Sequence, residues 1–143
     1  MFIHKGYKYR LYPTMMQGQQ LANAFGCCRF VYNHFLEVRS SAWKDRHESV
    51  TYSRTSALLT TLKKDKGHLW LNGVDSMALQ ETLRDLDRAF KNFFEKRAAY
   101  PTFRKKCSSV QSYRTRNQGG GIRIVDKNHI RIPVIGVLKA KVS

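Results

Sequence analysis

Acidic residues are scarce in this chain. Ten Asp and Glu stand against 26 Lys and Arg in 143 residues, a formal net charge of +16, and a chain so one-sided repels itself unless a polyanion neutralises it. Nucleic acid is the first partner this implies and an anionic membrane surface the second. Cysteine is nearly missing too. Cys27, Cys28 and Cys107 form an odd set, and neighbours in sequence close a disulfide only with strain, which excludes a disulfide framework and implies a reduced, cytoplasmic setting. No apolar run approaches the roughly 20 residues of a membrane span, and Met1 to Arg10 lacks the apolar stretch of a signal peptide. What remains is ordinary globular composition, 42% apolar and 12% aromatic, in the length of one domain.

The hydrophobic pattern changes period twice. Residues 3 to 12 alternate, with Tyr7, Tyr9 and Leu11 on one face and Lys8, Arg10 and Tyr12 on the other, as in a half-buried strand. Pro13 ends it, and Thr14 with Gln17 three residues on is a capping-box pattern. From Met15 to about Asp45, Leu21, Phe25, Cys28, Tyr32 and Phe35 form one helical stripe. Gly18 and Gly26 each cost about 1 kcal/mol in a helix interior, so the reading is a short helix, a break near Gly26 and a second helix. Thr51 or Ser53 caps a third, with Leu58, Leu59 and Leu62 on its buried side and Gly67 as its stop. Asp75 or Ser76 opens the strongest helical pattern, Leu79, Leu83, Leu86, Phe90 and Phe93, with Trp70 and Leu71 pinning the loop before it. After Pro101, short strands are expected at Ser112 to Arg116, Ile122 to Val125 and His129 to Pro133, with turns at Gly119–Gly121 and Asp126–Asn128. A lone N-terminal strand needs partners, so the helices read as an insertion into one small sheet.

Catalysis finds no support in these patterns. Phosphodiester cleavage by metal ions needs converging carboxylates, whereas Asp85 and Asp87 point about 200° apart on a helix and Asp87 has Lys91 for an i to i+4 pair. The histidines His4, His34, His47, His68 and His129 show no zinc spacing. Cys28 falls on the apolar stripe, and Cys107, though beside Lys105 and Lys106, has no catalytic arrangement around it. Gly119 to Gly121 lack the ending of a phosphate loop. No catalytic residue, metal or cofactor is expected. From Lys91 to Arg116, by contrast, eight Lys and Arg face Glu95 alone, a local balance of +7, with Phe93, Phe94, Tyr100, Phe103 and Tyr113 interleaved. Cations for phosphates beside aromatic faces for bases are the makings of a nucleic-acid surface.

Several motifs are similar to a known family. Tyr-Arg-Leu-Tyr-Pro at 9–13, Cys-Arg-Phe-Val-Tyr-Asn at 28–33, Ala-Leu-Gln at 78–80, Leu-Asp-Arg-Ala-Phe-Lys-Asn-Phe-Phe at 86–94, Phe-Arg-Lys-Lys at 103–106 and Ser-Tyr-Arg-Thr at 112–115 resemble, in order, the N-terminal half of TnpB (OrfB), the transposon-encoded RNA-guided DNA endonuclease. The resemblance implies an α+β fold, a helical recognition bundle inserted into a small, incomplete, OB-like β-barrel called the wedge. Its parts are a wedge strand at 1–13, a helical recognition domain at 14–100 with a helix-turn-helix-like start at 14–45, and a basic linker with truncated wedge strands at 101–143. The expected partners are guide RNA from the transposon end and a target DNA duplex, in the prokaryotic cytoplasm at the nucleoid, with no membrane. Tyr52, Ser56 and Gln80 are carried over as DNA-motif contacts, Gln80 suited to bidentate bonding with adenine. Lys5, Lys8, Arg10, Arg104, Lys105, Lys106, Arg114 and Arg116 are carried as RNA or phosphate contacts. The family's RuvC-like nuclease half has no counterpart, so binding without cleavage is expected, with Val134 to Val142 left as an open edge. The rivals are the recognition subunit of a split nuclease completed by a separate nuclease-bearing chain, a stand-alone helix-turn-helix regulator, and a decayed transposase remnant.

Overall fold

A computed structural model describes residues 6–106, 111–117 and 119–142. Lys5 and Cys107 lie outside the described residues. The elements run β1 (Tyr9–Tyr12), α1 (Met15–Arg46), α2 (Tyr52–Leu62), a 3-10 helix (Lys66–Gly73), α3 (Ser76–Phe94), β2 (Arg123–Asp126), β3 (His129–Ile132) and β4 (Gly136–Val142). The fold is α+β. Contacts divide it into two units, residues 1–22 with 117–143 and residues 23–116, the division falling inside α1.

The first unit is a sheet with a helix start. All pairings are antiparallel, in the order β1-β4-β3-β2, and among the described residues the sheet does not close into a barrel. β4 lies between β1 and β3. The expectation that Val134 to Val142 forms the open edge is therefore wrong; the N-terminal strand returns to cover it, and the edges are β1 and β2. Ile130, Ile132, Leu138 and Ala140 are buried on one face. Gly136 opens β4 at φ 90°, in the left-handed region that a side chain would strain. The capping box forms as read. The Thr14 N–H donates to Gln17 Oε1 at 3.0 Å and the Gln17 N–H to Thr14 Oγ1 at 3.3 Å, while Gln17 Nε2 donates to the Val137 carbonyl at 2.7 Å. One glutamine thus starts the helix and ties it to β4.

The second unit holds the main core. Cys28, Val31, Tyr32, Phe35 and Leu36 of α1 pack with Leu59, Leu71, Leu79, Leu83, Leu86 and Phe90. α1 runs 32 residues without a break, which corrects the expected turn at Gly26. Ala24, Cys27, Cys28 and Val31 are all buried across that position, and fully burying one apolar side chain is worth about 1.5–3 kcal/mol, more than a glycine's roughly 1 kcal/mol. A Cβ at Gly18 would meet nothing within 4 Å, so Gly18→Ala is expected to stabilise by about 0.5–1 kcal/mol. A thermal melt with an unchanged or lower midpoint would contradict this.

Thr51 caps α2, its side chain accepting from the Arg54 N–H. Asp75 caps α3, accepting from the Met77 N–H at 3.0 Å. Gly67 does not stop α2, which ends at Leu62; it lies within the 3-10 helix that follows. There Leu71 is buried, while Trp70 stays near the surface, donating from Nε1 to the Gly67 carbonyl at 3.0 Å and meeting Phe30 edge-on at 4.9 Å. Ser112–Arg116 is not a strand. It is a strap on the helical unit, its Tyr113 ring against Phe25 at 5.9 Å and its Thr115 hydroxyl donating to Asp75. Burial pushes the Tyr113 phenol up to about 12.

His34 stacks on Phe30 at 5.5 Å and faces His68 at 6.5 Å, whose Nδ1 is paired with Asp65 at 2.6 Å. Burial, then the His68 charge, lowers the His34 pKa below 6.5. The unfolded chain therefore takes up a proton there before the folded state does, so the contribution is complete above about pH 6.5 and shrinks as pH falls toward the folded value. Wild type is expected to lose more thermal stability between pH 7.5 and 5.5 than His34→Phe, and equal losses would contradict the assignment.

Candidate nucleic-acid interface

Tyr52, Ser56 and Gln80 come together. The first two lie one turn apart on α2 and the third faces them from α3, so that the Tyr52 hydroxyl and the Ser56 hydroxyl each donate to Gln80 Oε1 at 3.0 Å. The Arg84 guanidinium lies over the Tyr52 ring at 4.4 Å, a neighbour that the sequence reading missed although Arg84 follows Gln80 by one helical turn. All three predicted residues are half-buried, hence ordered yet reachable. The geometry changes what Gln80 can do. An amide oxygen has two lone pairs, and both are taken, so the bidentate adenine contact, which needs that oxygen as acceptor, requires a hydroxyl to let go. The Nε2 hydrogens have no acceptor among the described residues and remain to be offered to one.

The basic candidates separate into two kinds. Arg104 is held by a two-point clamp: its N–H donates to Asn33 Oδ1 at 2.7 Å, and Asn33 Nδ2 donates to its carbonyl at 3.0 Å. Its guanidinium lies 3.9 Å from the centroid of the Tyr32 ring, whose phenol burial pushes up. Arg104, Lys105 and Lys106 are exposed and have no carboxylate partner among the described residues. Arg114 and Arg116 differ. Arg114 pairs with Asp85 at 2.7 Å and Glu81 at 3.8 Å, and Arg116 with Glu81 at 3.3 Å. Glu81 is buried on α3, so these arginines act first as counter-charges that fasten the strap. Both keep about half of their side-chain surface exposed, so the pairs set them apart from Arg104, Lys105 and Lys106 by their carboxylate partners. In the sheet unit, Lys8 and Arg10 are exposed and likewise unpaired among the described residues, with Arg10 beside the Tyr12 ring at 5.9 Å.

The aromatics sort similarly. Phe90 is buried and Phe93 half-buried, whereas Phe94 is 59% exposed. Asp87 does not serve Lys91. It pairs with Arg39 of α1 at 2.9 Å, and Arg39 lies over Phe90 at 4.5 Å. Among the described residues no three His, Cys, Asp or Glu side chains are grouped to hold a metal, and no helix is long and apolar enough to cross a membrane. Burial pushes the Cys27 thiol up to about 11 and raises Cys28 as well, which makes both poor nucleophiles.

Residues 1–48 match the helix-turn-helix domain of the OrfB_IS605 family, although residues 15–46 of this chain form a single helix. A protein of Streptomyces pristinaespiralis named as an RNA-guided DNA endonuclease is 43% identical over 110 residues, 77% of this chain and 27% of that one. The Escherichia coli K12 protein InsQ, also named as an RNA-guided DNA endonuclease, is 34% identical over 102 residues, 71% of this chain and 25% of its own. This chain thus spans about a quarter of the length of those two relatives. The virulence protein VsdF of Salmonella dublin is 34% identical over 105 residues, 67% of this chain and 88% of that one. With the domain match, these similarities show that the chain belongs to the TnpB/OrfB family and corresponds to the N-terminal part of its endonuclease members.

Proposed function

We propose that this chain is a binding module that holds guide RNA and reads a short motif in a target DNA duplex, without cutting either. The observation that carries the reading is the segment Arg104–Lys106. Its backbone is clamped by Asn33, its arginine is stacked on Tyr32, and its three cations are exposed without carboxylate partners among the described residues. Cations kept ordered and unneutralised suit a phosphate backbone, because each releases a counterion from the nucleic acid on contact. The Tyr52–Ser56–Gln80 cluster is the proposed reader of the duplex motif. Held by two hydroxyls, Gln80 offers N–H groups to acceptors such as purine N7. Cleavage is assigned to no residue of the chain, and its relatives' nuclease activity is not carried over to it.

The experiment is to express the tagged chain together with the DNA flanking its gene, purify it in moderate salt and sequence the RNA that accompanies it. Enrichment of one RNA from the transposon end is expected. An unselective sample of cellular RNA would leave only general basic adhesion and end the guide-RNA reading.

A further inference from the structure

Charge is missing from one part of this chain. Residues 11–28 form its longest run without Lys, Arg, Asp, Glu or His, and residues 132–138 are a second uncharged run. The fold of the sheet unit brings parts of both together. Tyr12 lies opposite Lys139 and Ile132 opposite Gly136, so the start of α1 and the turn between β3 and β4 stand at the same end of the sheet, and the bond from Gln17 Nε2 to the Val137 carbonyl at 2.7 Å ties them. That end is apolar and uncovered. Met15 is 86% exposed, Met16 72%, Val134 56% and Val137 46%, and none of the four has a charged neighbour in sequence. Other exposed apolar side chains do: Trp43 precedes Lys44, Phe94 precedes Glu95, Ile124 follows Arg123 and Val142 follows Lys141. Arg131, opposite Val137, and Lys139 mark the rim of the patch.

Folding alone gives no reason for this exposure. Val134 holds φ 71°, a left-handed conformation that is an outlier for a β-branched side chain and that glycine adopts at no steric cost. The turn thus gives up stability to keep an apolar side chain in water. Met15 and Met16 are unbranched and flexible, side chains that adapt to an apolar partner surface. Charge then selects the occupant. A nucleic-acid strand finds cations only at the rim, and an acidic protein finds no more. A second copy of the chain brings the same uncharged end, and two bodies of +16 each approach with least repulsion where neither presents charge. Twofold symmetry lets one patch serve as both halves of such a contact. Four side chains this exposed make a patch on the order of 400 Å², below the roughly 800 Å² per partner of a stable interface, so the dimer is a weak and reversible one.

We infer that the start of α1 and the β3–β4 turn form a self-association surface, on which Met15, Met16, Val134 and Val137 of one copy meet the same residues of a second. The inference does not depend on the nucleic-acid reading above, and its salt dependence has the opposite sign. The test is sedimentation equilibrium of the full chain, freed of nucleic acid, at about 0.15 M and about 1 M salt. Added salt shortens the reach of the repulsion between the copies from about 8 Å to about 3 Å and leaves the apolar contact intact, so the dimer is expected to tighten. Association through shared nucleic acid would loosen instead. Met15→Gln/Met16→Gln is expected to weaken the dimer about tenfold or more at an unchanged melting temperature, because both side chains are in water in the single chain. Val134→Gly is expected to weaken it with no loss of melting temperature, since the strained conformation is one that glycine accepts. Three results overturn the proposal: a chain that stays monomeric at both salts up to about 100 μM, as it would if this end served a different protein; a dimer that loosens as salt rises; or a methionine variant that dimerises as wild type does.

Discussion

Phe35→Ala is expected to lower the stability of the helical unit by about 3–5 kcal/mol. Phe35 is 1% exposed, among the largest fully buried side chains described, and belongs to the same core cluster as Leu79, Leu83 and Leu86 of α3. Removing the ring forfeits its transfer free energy and leaves a cavity that neighbours on long, regular helices cannot collapse to fill. A domain holds only about 5–15 kcal/mol in total, so the variant should sit close to unfolding at physiological temperature. The check is the urea midpoint at unchanged slope. Phe94→Ala provides the comparison: its ring is 59% exposed, and its loss should cost well under about 1 kcal/mol. Equal effects at the two positions would mean that the core is placed wrongly.

The second large effect concerns the strap. Replacing Arg114 and Arg116 together by Ala is expected to destabilise the protein by about 2–3 kcal/mol, the range of hydrogen bonds to charged groups whose partner is left behind. The stranded group is Glu81, buried on α3 and left with Arg84 at 3.7 Å. The arginines themselves are about half exposed, which keeps the figure below that of a fully buried pair. Adding Glu81→Gln to the double variant removes the stranded charge and is expected to restore part of the loss. A double variant as stable as wild type would show that the strap is not held by these pairs.

Local chemistry was legible wherever the decisive partner lies within a few residues. Thr14 with Gln17, Thr51 and Asp75 cap helices as their spacing indicates, and Leu79, Leu83, Leu86 and Phe90 face the core as their period requires. The β-pairing of the chain's two ends also followed from one physical rule, that a lone strand needs a partner. Gly26 misled because helix propensity is weak against burial on both sides of it. Ser112–Arg116 misled because Tyr113 and Thr115 alternate with two arginines, and the same alternation serves a strap whose charges meet Glu81 and Asp85 some 30 residues away. Of the site, Tyr52, Ser56 and Gln80 entered only through family resemblance. Their hydrogen-bonded convergence depends on how α2 meets α3, and no spacing in the chain encodes that. The like-charged pairs of the sheet were likewise invisible, because Arg10 comes opposite Lys141 and Arg123 opposite Arg131 only through register.

On the proposed reading, cations left without carboxylate partners, rather than basic residues at large, carry the binding of nucleic acid. The decisive measurement is salt-dependent RNA affinity, with Arg104→Ala/Lys105→Ala/Lys106→Ala compared with Arg114→Ala/Arg116→Ala, each checked to be folded at the working temperature. The triple variant is predicted to lose about 2 from the magnitude of the slope, about 0.7 for each phosphate contact, while the folded double variant keeps the wild-type slope. A triple variant with an unchanged slope, or a double variant that loses as much per residue as the triple, would contradict it.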